Sequence, residues 1–424
     1  MKKHFSFSVK FLAAGLLLFG FVFQQQSFAQ EKSRYSSVKE ALSKSGQLSG
    51  SNGPGNVTWI DNGNRYSYMQ YNSDTESMEI RAYDPAAAED ELIFNNKNHT
   101  FPSNDSTFEY SSFQWSKDSN YLVFRSNFRP VYRQSGISDY YLYSVENETM
   151  KLLAEDARTA ELSPDGSKIG YERDGDLFVY DLETGEEMQL TNSAKEYFYN
   201  GRFGWVYEEE FGLGQAWSWS PDSKHIAYWQ TDERNVNIFQ MTDYSGQHPE
   251  YEKIPYPKVG DENPKVRIGV VNVESGQKQW MDSPEGGYIP RIYWTSNSDK
   301  LALVHLNRAQ NHLQLFFNDI NSGDNRLVME EKSDAWIDVF DFFAGINHYF
   351  FFPKDSEEFF WISDRDGYNH IYRYGYDGNL KNRVTDGEWE VTYVHTVDYR
   401  NNRIYYTSTE ESPLERHLYS VNFS

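Results

Sequence analysis

The sequence contains no cysteine among its 424 residues. That absence excludes disulfides, thiol nucleophiles, zinc thiolate sites and cysteine-ligated iron–sulfur clusters. Positive charge is also scarce, since 40 Lys and Arg residues face 63 Asp and Glu residues, a formal net charge of −23 at pH 7. A surface with such an excess of acid repels phosphate groups at long range, so the composition argues against a nucleic-acid partner.

Long hydrophobic runs are missing after the N-terminus. Positively charged residues open the chain, an apolar run of about 13 residues (11–23) follows, and Ser27-Phe28-Ala29 completes a small-x-small pattern. This order is typical of a cleaved signal peptide. The run is short for a membrane span, which needs roughly 20 residues. We expect a signal peptide over residues 1–29 and an exported protein, periplasmic or secreted, without a stable membrane span. A retained N-terminal anchor is the alternative.

The common catalytic motifs are missing as well. The sequence has no Gly-x-Ser-x-Gly nucleophile elbow, no Walker A loop and no Rossmann glycine pattern. Its ten histidines are scattered, and none forms a His-x-x-x-His pair. We therefore predict no catalytic residue, no metal site and no cofactor within these 424 residues.

Aromatic residues are abundant, at 17% of the chain, and they favour strands. A repeated unit carries many of them: an aromatic-led strand, a tight Asp/Asn/Ser/Gly turn and a second apolar strand. The Pro-Asp-Gly and Pro-Asp-Ser turns suit type I geometry. Clear copies begin at Trp115, Leu162, Trp219 and Trp294, and weaker copies begin at Trp59, Phe352 and Val397.

The copies begin 45 to 75 residues apart, a period typical of four-stranded propeller blades. The sequence therefore predicts an all-β propeller with about seven blades, and a ring that is incomplete at the C-terminus. The longest interval predicts an insertion within residues 231–264. A pair of β-sandwiches is the alternative, although seven similar hairpins in series disfavour it.

One segment interrupts the repeat before Trp219. It contains the helix-compatible run Trp205-Val-Tyr-Glu-Glu-Glu210, flanked by Gly204 and Gly212. Adjacent residues of a helix point about 100° apart, so at most two of the three glutamates can converge. Two converging carboxylates suit an ammonium group, because each oxygen can accept a charge-assisted hydrogen bond. A solvated acidic face is the alternative, which the neighbouring aromatic side chains disfavour.

This segment resembles the dipeptidyl peptidase IV family of serine exopeptidases. The resemblance is carried by Gly204-Trp-Val-Tyr-Glu-Glu-Glu-Phe211, which is followed by Trp219-Ser-Pro-Asp222. Further similar stretches are Tyr256-Pro-Lys-Val-Gly260 and Asp366-Gly-Tyr-Asn-His370. Together they extend the resemblance over roughly residues 55 to 424.

The resemblance implies an eight-bladed N-terminal propeller and a C-terminal α/β-hydrolase domain, with substrate bound in the cavity between them. It implies that Glu209 and Glu210 grip the free N-terminal ammonium of a peptide, so that Xaa-Pro or Xaa-Ala dipeptides are released. Glu208 would point elsewhere and have a structural role. Trp205 and Tyr207 would support the helix that carries the glutamates.

A second residue carried over from the family is Arg133. Its family counterpart hydrogen-bonds a substrate carbonyl and stabilises the glutamate pair, and a guanidinium there would help both carboxylates stay ionised. Arg129 is a nearby alternative for this role. The sequence departs from the family at Gly204, where the family usually has Asp, and this change is expected to loosen the start of the helix.

The serine, aspartate and histidine of the family lie in the C-terminal domain, which these residues do not include. We therefore expect a signal peptide (1–29), a polar arm (30–55) and a propeller (56–424) that gates substrate and recognises N-termini, in a truncated chain inactive alone. Expected partners are peptides with a free N-terminus, a separately encoded hydrolase domain and, as in the family, a second copy in a homodimer. A non-catalytic propeller that binds peptides or proteins is the alternative.

Overall fold

The computed structural model describes residues 35–44, 54–339, 349–354 and 356–424. The chain divides into two compact units, Met1–Gly55 and Asn56–Ser424. In the first unit, the structure describes helix α1 (Val38–Lys44). The predicted signal peptide, residues 1–29, lies outside the described residues. Across the described ranges, no helix combines the length and apolar character needed to cross a bilayer.

The described part of the chain forms thirty strands, numbered here in chain order. They are β1 Gly55–Ile60, β2 Arg65–Asn72, β3 Ser77–Asp84, β4 Glu89–Asn95, β5 Ser112–Trp115, β6 Tyr121–Pro130, β7 Gly136–Ser144, β8 Thr149–Ala157, β9 Ala160–Leu162, β10 Lys168–Arg173, β11 Asp176–Asp181, β12 Glu187–Gln189, β13 Phe198–Asn200, β14 Trp217–Trp219, β15 His225–Asp232, β16 Ile238–Asp243, β17 Glu250–Pro255, β18 Lys265–Asn272, β19 Lys278–Trp280, β20 Tyr288–Trp294, β21 Lys300–Leu306, β22 His312–Asp319, β23 Asn325–Lys332, β24 Phe350–Phe351, β25 Glu358–Ser363, β26 His370–Gly375, β27 Leu380–Arg383, β28 Val391–Asp398, β29 Arg403–Ser408 and β30 His417–Asn422. A second helix, α2 (Trp205–Phe211), lies between β13 and β14.

Twenty-eight of these strands form seven antiparallel sheets in series, and β16 and β17 form a separate two-stranded sheet. We number the sheets as blades: blade 1 is β1–β4, blade 2 is β5–β8, blade 3 is β9–β12, blade 4 is β13–β15 with β18 and β19, blade 5 is β20–β23, blade 6 is β24–β27, and blade 7 is β28–β30. A series of short antiparallel meanders is the construction of a β-propeller. The predicted all-β propeller is thus confirmed, with seven blades in the described residues.

The repeated turn has one geometry in successive blades. In blades 2, 3 and 4 a serine hydroxyl lies 2.6 Å from the Oδ1 of the aspartate two residues later. The residue after each aspartate has positive φ. The turns also connect neighbouring blades, because the backbone N–H of Asp165 donates to Ser223 Oγ (3.0 Å) and that of Asp222 donates to Ser298 Oγ (3.2 Å).

The tryptophans that lead three of the repeats also connect neighbouring blades. The indole N–H of Trp115 donates to Ser67 of blade 1, that of Trp219 to the carbonyl of Glu161 in blade 3, and that of Trp294 to the carbonyl of Ser218 in blade 4. Trp219 is buried and the other two are half-buried, so each indole N–H needs a partner, and the preceding blade supplies it. The repeat therefore encodes contacts between blades as well as the blades themselves.

The insertion predicted within residues 231–264 is the hairpin β16–β17. Among the described residues, its strands pair with each other alone, from Ile238 opposite Pro255 to Asp243 opposite Glu250. Several apolar side chains of the hairpin are exposed, among them Phe239 and Tyr251.

Close packing between blades 3 and 4 leads to a prediction at Gly170. A Cβ there would lie 3.0 Å from two ring atoms of Trp217 and 3.1 Å from the ring of Trp219. We expect Gly170→Val to lower the free energy of unfolding by about 1–3 kcal/mol, because overpacking forces neighbouring rings to shift. Urea denaturation measures this change. Gly246→Val is the control, since its Cβ would meet nothing closer than 3.4 Å; an equal loss in both variants would contradict this account of the packing.

Candidate functional site

Helix α2 lies in the chain segment that connects two short strands, β13 and β14, of blade 4. Both β13 and β14 pair with β15: Asn200 lies opposite Gln230, and Trp217 lies opposite Tyr228. The residues between them, 201–216, include the helix, and Gly201 and Ala216 at the two ends are hydrogen-bonded to Trp229 of β15. The helix ends at Phe211, and the following Gly212 has a left-handed φ of 63°, which suits glycine at a helix C-terminus.

The aromatic face of the helix anchors it to blade 5. Tyr207 is almost fully buried, and its hydroxyl accepts a hydrogen bond from the backbone N–H of Ile289 (3.1 Å). The carbonyl of Phe211 accepts one from Arg291 Nη2 (2.8 Å). The ring of Trp205 lies 4.4 Å from that of Tyr256. These contacts fix the rotation of the helix, and with it the direction of each glutamate.

The three glutamates have three different environments. Glu208 is fully buried, the side chain of Glu209 is 17% exposed, and Glu210 is exposed. Adjacent residues separated by about 100° on a helix account for this division. Glu209 and Glu210 therefore lie toward solvent, whereas Glu208 lies toward the interior.

Arg133 lies next to this pair. It belongs to the loop between β6 and β7 in blade 2, and its Nε is 3.1 Å from Glu209 Oε2. Arg129, the alternative, pairs instead with Asp156 and lies 3.9 Å from Asp139. The fold thus brings Arg133 and Glu209 together from blades 2 and 4, and directs Arg129 elsewhere.

A buried ionic network beneath the helix was not predicted from the sequence. Arg158 Nη1 lies 3.5 Å from Glu208 Oε1, and Arg158 Nε lies 3.8 Å from Glu172 Oε2. Arg202 Nη2 lies 2.7 Å from Glu172 Oε1. The one signal in the sequence was Glu172 itself, a charged residue in the apolar second strand of a repeat. A fifth member, Glu233, is coupled electrostatically to Glu208 and to Arg158.

Burial changes the acidity of this network. It raises the pKa of Glu208 to about 7, although Ser135 and Arg158 both oppose the change. It raises the pKa of Glu233 to about 8, and the negative charge of Glu208 adds to that effect. Glu233 also lies against Gly204, where a Cβ would come within 1.8 Å of Glu233 Oε1. The space that a side chain at Gly204 would need is therefore filled by the Glu233 carboxyl group.

A cavity of about 600 Å³ lies beside the start of β18 and the segment that precedes β20. Its lining includes Ile289, the residue that donates to Tyr207, together with Asn235 and Arg308. Arg133, Glu209 and Glu210 do not line it. Within the described ranges, no group of three or more His, Asp or Glu side chains is arranged to hold a metal ion.

Comparison with known proteins gives consistent matches to one family. The model of the dipeptidyl peptidase IV (DPP IV) N-terminal region matches residues 116–424. Dipeptidyl peptidase 4 of Trichophyton tonsurans is 29% identical over 373 residues, covering 83% of this chain and 47% of the relative. Dipeptidyl peptidase 4 of Arthroderma otae is 30% identical over 370 residues, with the same coverage. The chain spans about half the length of the curated relatives it matches.

Solved structures agree. The crystal structure of Porphyromonas gingivalis dipeptidyl peptidase 4 matches with a TM-score of 0.79 and 26% identity, covering 92% of this chain and 54% of that one. A putative dipeptidyl aminopeptidase IV from Bacteroides ovatus matches with a TM-score of 0.66 and 18% identity, covering 87% and 51%. The second likeness shows the fold alone.

The raised pKa of Glu233 predicts a pH-dependent stability. Between its usual value of 4.5 and its folded value of about 8, the folded state holds a proton that the unfolded chain releases. The free energy of unfolding therefore falls as the pH rises through this window. Glu233→Gln removes the titrating group. Between pH 5 and pH 9, we therefore expect the free energy of unfolding of the variant to fall less than that of the wild type, by on the order of a few kcal/mol.

Urea denaturation of both proteins at the two pH values measures this difference. Repulsion among the surface acids affects both proteins alike and cancels in the comparison. The matched control is Glu250→Gln, an exposed glutamate of the hairpin, which should follow the wild type. A Glu233→Gln variant with the same pH dependence as the wild type would refute the prediction.

Proposed function

Since the chain belongs to the dipeptidyl peptidase IV family and matches its N-terminal region, we propose that its propeller recognises peptides by their free N-terminus and controls their access to a peptidase site. The observation that carries this proposal is the ion pair between Arg133 and Glu209 beside the exposed Glu210. In the proposed complex, the two glutamates bind the N-terminal ammonium and Arg133 donates to a peptide carbonyl.

The chemistry of the pair supports this assignment. An ammonium group has three donors, and two carboxylates on one helical turn offer several acceptor oxygens. Because Glu209 is only 17% exposed, its hydrogen bonds form in a partly desolvated environment, where they are stronger than in water. The guanidinium of Arg133 offsets one of the two negative charges, so that a single ammonium leaves the bound site nearly neutral.

Binding of the N-terminal ammonium would also explain exopeptidase activity. Holding the ammonium at a fixed point limits how far the peptide can advance, so cleavage falls at a constant distance from its end. A site that accepts two residues releases dipeptides, and the family relation favours Xaa-Pro and Xaa-Ala. Cleavage itself is proposed to occur in a hydrolase domain, whether it continues this chain or is encoded separately.

The remaining proposals concern location and assembly. The N-terminal sequence pattern supports an exported protein that acts in the periplasm or after secretion. Self-association into a homodimer is proposed from the family relation, and the exposed apolar side chains of the β16–β17 hairpin, such as Phe239 and Tyr251, would suit it.

A non-catalytic peptide-binding propeller is the second candidate. It rests on the same contact between Arg133 and Glu209, which could bind a peptide N-terminus without cleavage. Both candidates bind peptide N-termini through the same residues, so binding supports either one. Turnover by the whole protein distinguishes them.

Peptide binding gives the first test of the proposed function. We expect Glu209→Gln and Glu210→Gln each to weaken binding of a Gly-Pro peptide by about tenfold or more, because each removes a charge-assisted hydrogen bond of roughly 1.5–3 kcal/mol. Isothermal titration calorimetry measures the Kd. The N-acetylated peptide should not bind, and the exposed Glu250→Gln should bind as the wild type does. Equal affinity of the wild type for both peptides would exclude N-terminal recognition.

Turnover gives the second test. We expect the purified 424-residue chain to release no chromophore from a Gly-Pro chromogenic substrate. The reason is that, in this proposal, the propeller binds the peptide and the hydrolase domain supplies the nucleophile. Absorbance is followed at a concentration at which binding is saturated. Steady turnover that remains after removal of contaminating peptidases would contradict the proposal that hydrolysis requires a further domain.

A further inference from the structure

The position of Arg133 is set by a short loop, residues 131–135, between β6 and β7. The loop closes on itself, because the backbone N–H of Val131 donates to the carbonyl of Ser135 (3.0 Å). It also touches the chain that follows helix α2, since a Cβ on Gly214 would lie 2.5 Å from the carbonyl oxygen of Gln134. Arg133 lies in the middle of this loop and reaches across to Glu209.

The contact between Arg133 and Glu209 is too exposed to hold the loop in place. The side chain of Arg133 is 57% exposed. Ion pairs at that exposure contribute little, because solvent screens them and two long side chains lose conformational freedom. Another interaction must fix the distance between the arginine loop and helix α2.

That interaction is made by Ser135, the last residue of the loop. The Ser135 hydroxyl is buried and accepts a hydrogen bond from Arg158 Nη1 (3.3 Å). Arg158 Nη1 also lies 3.5 Å from Glu208 Oε1. Arg158, which lies between blades 2 and 3, therefore bridges a buried serine of blade 2 and the first glutamate of helix α2.

Because Arg158 and Glu208 are buried, their contact tolerates little change in geometry. Glu208 is fully buried and Arg158 is 9% exposed, so neither charge can turn to solvent if its partner moves. Glu208 Oε2 has no hydrogen-bond partner among the described residues, which makes the contact of Oε1 with Arg158 the more important. A buried charge that loses one partner is strongly destabilised, whereas a satisfied network favours one arrangement.

We propose that Ser135, Arg158 and Glu208 are positioning residues that hold the Arg133 loop against helix α2, and thereby set the spacing between Arg133 and Glu209 for an incoming peptide N-terminus. This inference rests on the proposed function. It assigns to Glu208 a specific task, the attachment of the loop, and it adds Ser135 and Arg158, which no motif in the sequence indicated.

The test compares peptide affinities in a double-mutant design. We expect Ser135→Ala to raise the Kd for a free Gly-Pro peptide about fivefold, approaching the value of Arg133→Met, and Ser135→Thr to restore affinity because it keeps the hydroxyl. In the Arg133→Met background, Ser135→Ala should have no further effect, since the serine acts through Arg133. Glu208→Gln is a second variant that weakens the same connection while preserving shape.

The control is Ser163→Ala, which removes another buried serine hydroxyl, in the turn of blade 3. It should lower stability without changing the Kd. If the wild type has no preference for the free N-terminus over the acetylated one, the proposed function fails. If the wild type shows that preference but Ser135→Ala and Glu208→Gln both bind normally, or if Ser135→Ala weakens binding equally in the Arg133→Met background, the positioning role is overturned.

Discussion

The burial of charge beneath helix α2 is the constraint on which the site depends. Three carboxyl groups, those of Glu172, Glu208 and Glu233, share a buried region with the guanidinium groups of Arg158 and Arg202. With every group ionised the set would carry one excess negative charge, which a poorly solvated interior disfavours. The raised pKa of Glu233, to about 8, is the physical response, because a proton on that carboxyl removes the excess.

The propeller supplies the frame in which this network can form. Indole donors and turn serines join blade 1 to blade 2, blade 3 to blade 4 and blade 4 to blade 5. Gln114 of blade 2 donates to the carbonyl of Ala160 in blade 3, so loops and insertions from blades 2, 3 and 4 are held at fixed distances. The network uses that order directly: Ser135 comes from blade 2, Glu172 from blade 3, and Glu208 from the insertion in blade 4. A rigid scaffold with functional residues on its loops and insertions is a general arrangement in binding proteins and enzymes.

The predictability of the fold and of the site differs for a physical reason. The blades could be predicted because each repeat is local: a leading Trp, a Ser-x-Asp turn and alternating apolar residues recur together, as at Trp219 and Asp222. Helix α2 was visible because it interrupts that pattern. The contact of Arg133 with Glu209 was expected only through family resemblance, since 76 residues separate the two. Partners such as Arg158 and Glu208 have no periodic spacing, so only the fold itself reveals them.

The most direct measurement of the central claim is a crystal structure of the chain bound to a peptide that begins with Gly-Pro. The account predicts the N-terminal nitrogen within about 3 Å of carboxylate oxygens of both Glu209 and Glu210, with a peptide carbonyl within hydrogen-bond distance of Arg133. A peptide bound in the cavity lined by Asn235 and Arg308, or bound with its N-terminal nitrogen in solvent, would contradict it.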